Sequence, residues 1–292
     1  MARLDPRGYL LLSPALAIMA VFFVAAMVIL FLFSLQPFTG GQIVPGTTLD
    51  NYRHFIGDGY YWGVVLTTMK LGGLSTALAL VIGYPTAYAL HRVRGPVWRS
   101  VCYFVLFSPL LTSVVVRSYG WSLLLGDRGL INSVLRGAHI TSGPVHLLYE
   151  LSGVTVSLVH ILLPFMVFPI LGVLGQLDAG LDEAAADLGA SRWQTFWRVT
   201  VPLTVQGALV GCQLVFALSI SAFATPSLLG GGRVQVLATL IYGDVGELNW
   251  PLAAVESYAL LVLALLAIAA FNWLVGRSRR AATATATAGA PA

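Results

Sequence analysis

Three ionisable side chains stand inside long apolar runs of this sequence: Lys70, Arg117 and Glu256. Charge in a membrane interior is costly, so each is a candidate for contacting or gating a charged solute. Lys70 or Arg117 could pair with Glu256 as a gate. Snorkelling to a polar surface, or a purely structural ion pair, is the plainer account. Tyr258, Gln213, Ser219, Ser221 and Asn272 add polar groups to a possible path, with their helical phase left open. Covalent chemistry finds no support. Lys70 is the only lysine and no Gly-rich loop precedes it, so the phosphate-binding lysine of a Walker A motif is lacking. Neither a His-Glu-x-x-His nor a Gly-x-Ser-x-Gly pattern occurs. His160 has no nucleophile that spacing pairs with it and reads as a packed helix residue. Gly230-Gly231-Gly232 is followed by no lysine and reads as a turn. Cys102 and Cys212 lie in apolar runs far from any second ligand, so they read as small buried hydrophobes and no metal site is expected.

The elements that would position these groups follow from composition. Of 292 residues, 58% are hydrophobic and 10% charged, whereas soluble domains carry about 25% charged residues. So few charges cannot cover a soluble surface, and the class is integral membrane protein. A bilayer core about 30 Å thick needs roughly 20 apolar residues per helix. Six segments meet this, at about 10–35, 62–90, 100–125, 151–174, 203–226 and 252–275. None alternates with the period of a barrel strand. The expected fold is therefore all-α and polytopic, with six transmembrane helices. The first segment is too long for a cleaved signal and reads as a retained anchor. One membrane domain is expected over residues 1–280. The Ala/Thr-rich tail 281–292 has nothing to bury and is expected to be disordered.

Basic residues set the orientation. Arg3, Arg7, Arg92, Arg94, Arg99, Arg192, Arg198, Arg277, Arg279 and Arg280 fall on one side of the six-span scheme. Arg53, Arg128, Arg136 and Arg233 fall on the other. The asymmetry predicts cytoplasmic termini and a multi-pass protein of the inner (cell) membrane, with a cytoplasmic loop at 175–202. The arginines form no stripe with interleaved aromatics, so the net charge of +4 gives no sign of nucleic-acid binding.

That loop is patterned. Asp182 is a plausible N-cap, and Glu183 sits in the first turn, where it suits the helix dipole. Ala184, Ala185 and Ala186 favour helix, and Gly189 can end it in a left-handed conformation. Ser191 with Gln194 makes a capping box for a second helix. Trp193, Phe196 and Trp197 give that helix an aromatic face, and Pro202 is expected to stop it and open the fifth span.

Glu183-Ala184-Ala185, then three residues and Gly189, then nine residues and Val199-Thr200-Val201-Pro202, resemble the loop signature of binding-protein-dependent ABC transporter permeases. Val199 and Val201 replace the usual Ile and Leu, both mild apolar changes. Thr48-Leu49-Asp50-Asn51-Tyr52, Gly83-Tyr84-Pro85, Leu162-Leu163-Pro164-Phe165-Met166, Thr225-Pro226-Ser227-Leu228-Leu229-Gly230-Gly231 and Asn249-Trp250-Pro251 are similar to the spermidine/putrescine branch, in the first of its two permease subunits. The resemblance implies a type I ABC importer permease fold without enzymatic activity of its own. It also implies a coupling helix in which Glu183, Ala184, Ala185, Asp187 and Gly189 dock on an ATPase subunit. ATP and Mg would be bound by that ATPase, so no cofactor is expected here. A second related permease, an extracytoplasmic solute-binding protein and the lipid bilayer complete the implied partners. A polycation needs acids on its path, and Glu256 alone lies within a span; Lys70 and Arg117 would suit an anion, which leaves phosphonate, sulfate or iron open as solutes. An ion-coupled secondary transporter would show repeats and several buried acids, which this sequence lacks.

Overall fold

The protein is described by a computed structural model covering residues 6–93, 95–141, 143–178 and 180–288. It is all-α apart from one small hairpin. Helix α1 (Pro6–Ser34) leads to β1 (Phe38–Thr39) and β2 (Gln42–Ile43), an antiparallel pair with Phe38 opposite Ile43. Gly40 and Gly41 turn this hairpin at φ 65° and 80°, which glycine adopts without strain. Then follow α2 (Asp50–Gly57), α3 (Gly59–Arg92), α4 (Pro96–Leu111), α5 (Val114–Leu125), α6 (Leu130–Gly137) and α7 (Leu151–Leu174). Next come α8 (Gly180–Asp187), α9 (Arg192–Thr195), a π-helical turn (Phe196–Thr200) and α10 (Val201–Ile220). Last are α11 (Ala224–Gly230), α12 (Leu237–Gly246) and α13 (Trp250–Ala288).

Five helices are long and apolar enough to cross a membrane, and a sixth crossing results if α4 and the helices after it count as one broken span. Four of the expected spans match closely. The third is bent by 101° at Thr112–Ser113. Pro109 removes a backbone donor just before the break, and the freed groups find partners: Thr112 donates its hydroxyl to the Ser108 carbonyl (3.1 Å), and Arg117 donates to the Thr112 carbonyl (3.4 Å). The fifth span ends at Ile220, not near 226. Pro226 therefore kinks no span; it sits in the first turn of α11, where a missing N–H costs nothing. Pro202 does not divide the chain either, since α9, the π turn and α10 form one continuous helix from Arg192 to Ile220. The wider π turn, closed by Val201 N–H to the Phe196 carbonyl, takes up the register that the proline ring disturbs. Helix α13 continues to Ala288 through most of the Ala/Thr tail, where alanine propensity extends the helix beyond its span. Residues 289–292 lie outside the described residues.

The chain divides into two compact units. One joins the N-terminal part through Trp62 to Leu240–Ala259. In it Asn51 donates to the carbonyls of Ser34 (3.0 Å) and Gln36 (2.9 Å), closing the end of α1, and Ser34 bonds Tyr52 at 2.8 Å. The Thr48–Tyr52 motif is thus a staple between α1 and α2.

The other unit takes Gly63–Thr239 and the chain from Leu260. Its core centres on α7, with Met166, Val167 and Ile170 fully buried. Helix α10 meets α7 backbone to backbone through Gly207-x-x-x-Gly211. A Cβ on Gly207 would stand 2.6 Å from the Pro169 carbonyl oxygen, and one on Gly211 2.8 Å from the Met166 sulfur. A Cβ on Gly83 of α3 would stand 2.7 Å from the Cγ of the same Met166. Small residues at such crossings allow the dispersion contacts that hold helices together in lipid, where no hydrophobic force acts between them.

Gly207→Ala therefore tests the crossing. Alanine favours helix over glycine by about 1 kcal/mol, yet here it should lower the detergent melting temperature by several degrees. Gly73→Ala in α3, with nothing within 4 Å of its Cβ position, should leave the melting temperature unchanged or raise it.

Candidate functional site

The best-built feature outside the core is an elbow over residues 178–200. Asp178 accepts the Gly180 N–H on Oδ1 at 2.9 Å, and α8 starts at Gly180. Asp182, expected as the N-cap, instead falls in the first turn, because Asp178 turns the chain two residues earlier. The C-terminus is closed as expected, with Gly189 left-handed at φ 79°. The Ala190 N–H reaches the Ala185 carbonyl and the Gly189 N–H the Ala186 carbonyl, both at 2.9 Å, the paired bonds of a Schellman end. Open space surrounds the Gly189 Cβ position, so the requirement for glycine is conformational. Ser191 then caps α9: its side chain accepts the Gln194 N–H at 3.3 Å while its own N–H donates to the Gln194 side chain at 2.9 Å.

This elbow is presented outward. Glu183, Ala184, Ala186, Asp187 and Gly189 are exposed and Ala185 is half-buried. Leu188 is 89% exposed, an apolar knob at the bend that sequence reasoning passed over because it breaks no pattern. The elbow is also anchored inward. Phe196 packs edge-on against Tyr84 (5.8 Å) and Tyr88 (4.9 Å) of α3, and Tyr84 hydrogen-bonds Thr204 of α10 at 2.5 Å. Trp193 and Trp197 flank Phe196 and remain largely exposed. The same residues line an open cavity of about 970 Å³, with Arg92 and Arg192 among its walls.

The four residues proposed for a solute path divide between the two units, Lys70 and Arg117 in one, Glu256 and Tyr258 in the other. Lys70 lies on an exposed part of α3. Arg117, in α5 just beyond the break, lines a cavity of about 330 Å³ with Ser108, Thr112, Trp121 and His160, and its Nε is buried without an acceptor. His160 packs against Trp121, whose indole N–H donates to Nδ1 at 3.3 Å. Tyr258 commits its hydroxyl to the Met27 carbonyl at 2.6 Å and its ring edge to Phe31, a structural tie to α1. Glu256 is fully buried on α13, and neither carboxyl oxygen meets a hydrogen-bond partner.

What Glu256 does meet is Asp244 of α12, whose carboxyl lies within hydrogen-bonding reach of it. Burial pushes the Asp244 carboxyl above its ordinary range, and Glu247 adds to the shift. The sequence hid this neighbour, since Asp244 lies outside every apolar run and only the α12–α13 turn carries it to Glu256. Among the described residues no group of three or more His, Cys, Asp or Glu could hold a metal ion, and Cys102 and Cys212 are free thiols.

Comparison with known proteins gives this architecture its relatives. Residues 79–280 match the family described as binding-protein-dependent transport system inner membrane component. The spermidine/putrescine transport system permease protein PotB of Haemophilus influenzae is 35% identical over 222 residues, which cover 76% of this chain and 77% of the relative. Its Escherichia coli counterpart is 36% identical over 219 residues, covering 74% and 78%. A chain of the crystal structure of a bacterial alginate ABC transporter, in complex with an alginate pentasaccharide-bound periplasmic protein, superposes with a TM-score of 0.77 at 20% identity, over 94% of this chain and 95% of that one. The fold is thus that of an ABC transporter permease, and the chain belongs to the family of binding-protein-dependent transport system inner membrane components.

Proposed function

We propose that this permease chain is the membrane half of an ATP-driven importer whose solute is a polyamine-like cation. An ATPase subunit grips the α8 elbow, a soluble binding protein delivers the solute on the opposite face, and a second related permease completes the pore. ATP and Mg belong to the ATPase. The elbow, α9 and both chain ends face the cytoplasm, in line with the arginine distribution. The spermidine/putrescine relatives support the choice of solute.

The observation that carries this reading is the mechanical continuity of the elbow. Both ends of its bend are capped by hydrogen bonds, so a push on α8 is not absorbed by fraying. From α9 onward one helix runs to Ile220. Phe196 and the Tyr84–Thr204 bond tie it to α3, and Gly207 and Gly211 tie it to α7. Displacement of α8 is thus passed to three core helices without a flexible joint, as alternating access requires. The π turn at 196–200 is the one point where the hydrogen-bond ladder is wider and can shift register.

A second reading of the solute has its own observation. The unpaired Nε of Arg117, in a mainly apolar cavity it shares with Ser108, Thr112 and His160, is suited to an anionic group. Uptake assays on the reconstituted complex decide between them: spermidine or putrescine is the expected solute, and sulfate or phosphonate accumulation in its place would reverse the choice.

Two variants test the elbow. Gly189→Ala forces a left-handed alanine, a strain of about 1–2 kcal/mol. With Glu183→Arg added, the protein should still insert in the membrane but lose most ATPase copurification, and transport should fall at least about tenfold; undiminished uptake would remove the docking assignment. Phe196→Ala leaves the exposed face of α8 intact and cuts its tie to α3. It should retain the ATPase yet hydrolyse ATP with little transport, whereas normal coupling would show that Phe196 transmits nothing.

A further inference from the structure

The first unit contains a group that the coupling mechanism does not use. A three-residue turn, 247–249, folds α12 back on α13. Leu248 is left-handed at φ 63°, the Asn249 N–H donates to the Asp244 carbonyl at 2.8 Å, and the Asn249 side chain accepts from Leu252 at 3.4 Å. The small buried Ala253 and Ala254 precede Glu256. The turn brings the half-buried Asp244 to the fully buried Glu256. Both oxygens of Glu256 and Oδ2 of Asp244 are buried without a donor. Among the described residues no ion pair engages either acid; the ion pairs join Arg53 to Asp50 and His146 to Asp127. Tyr60 and Tyr61, in the first turn of α3, lie near enough for both carboxyl groups to act on their hydroxyls. Their rings meet edge to face at 5.4 Å, and Tyr61 is itself buried. Asp58 adds negative charge near the tyrosines and Glu247 near Asp244.

Two facing acceptors with no donor between them call for something positive or protic. A divalent metal is a poor fit, because it wants six or more oxygen ligands and no third acidic or imidazole ligand joins the pair. A primary ammonium group fits better. Its three N–H donors match carboxylate acceptors, and the methylenes beside it suit tyrosine faces.

We propose that Asp244 and Glu256, with Tyr60 and Tyr61, form a binding site for a terminal ammonium group of the transported polyamine. This rests on the polyamine reading and deepens it: the site is a step in solute passage at the end of α13 that follows the turn from α12. The competing occupant is a proton shared between the two acids, a structural role that a glutamine would fill equally well.

The test uses the complete transporter in proteoliposomes, with spermidine and putrescine as probes. Glu256→Gln and Asp244→Asn should each raise the KM for spermidine about tenfold or more in complexes that still assemble. If either amide variant fails to assemble, Glu256→Asp and Asp244→Glu keep the charge but move it by one methylene, and the same rise in KM is expected. Wild-type KM in the assembled variants overturns the site while leaving the polyamine reading intact. A wild-type complex that imports neither spermidine nor putrescine overturns both.

Discussion

Lipid offers no hydrophobic reward for bringing two apolar helices together, so helix contact in this protein depends on how closely backbones can approach. The crossing of α10 over α7 is where that constraint is met most tightly. Gly207 and Gly211 leave no room for a methyl group against Pro169 and Met166, and Gly83 brings α3 to the same methionine. Met166 is fully buried there, a flexible side chain filling the space among three helices. Because glycine contributes no side chain of its own, α10 rests on the backbone of α7 with little slack for sliding, while α3 packs on the side chains of Met166 and Leu163.

That rigidity gives the elbow its meaning. An exposed helix of eight residues could not by itself transmit force, being shorter than an isolated helix that is stable in water. Here it is held by an Asx turn before it, a Schellman end and a capping box after it, and it leads into a helix locked on the core. The Glu-Ala-Ala and Gly189 positions therefore do separate work. The small exposed residues offer a surface that a partner can approach closely, and glycine fixes the angle at which that surface is held. Leu188 stands almost fully exposed beside them, at the tip of the bend.

Charge is distributed on a different principle. Lys70 rests at the surface of its helix, and Arg117 reaches back to the backbone carbonyl at a helix break. That bond uses one terminal nitrogen of Arg117 and leaves its buried Nε without an acceptor. Glu256 is fully buried with no hydrogen-bond donor at either oxygen, and the carboxyl of Asp244 stands beside it.

The amino-acid sequence alone determined what depends on local and compositional physics. Too few charges for a soluble surface imposed a membrane fold, apolar run length located most of the spans, and the residues of the elbow, Gly189, Ser191 and Gln194 above all, set its turns within a few residues of one another. The tertiary structure decided whatever depends on distant segments meeting. Pro202 reads as a stop, yet a π turn absorbs it, because a proline's effect depends on which carbonyls surround it. Tyr258 reads as a path residue until the Met27 carbonyl claims its hydroxyl. Asp244 carries no signal in sequence at all, since it becomes a partner of Glu256 only when Leu248 turns the chain left-handed and folds α12 onto α13.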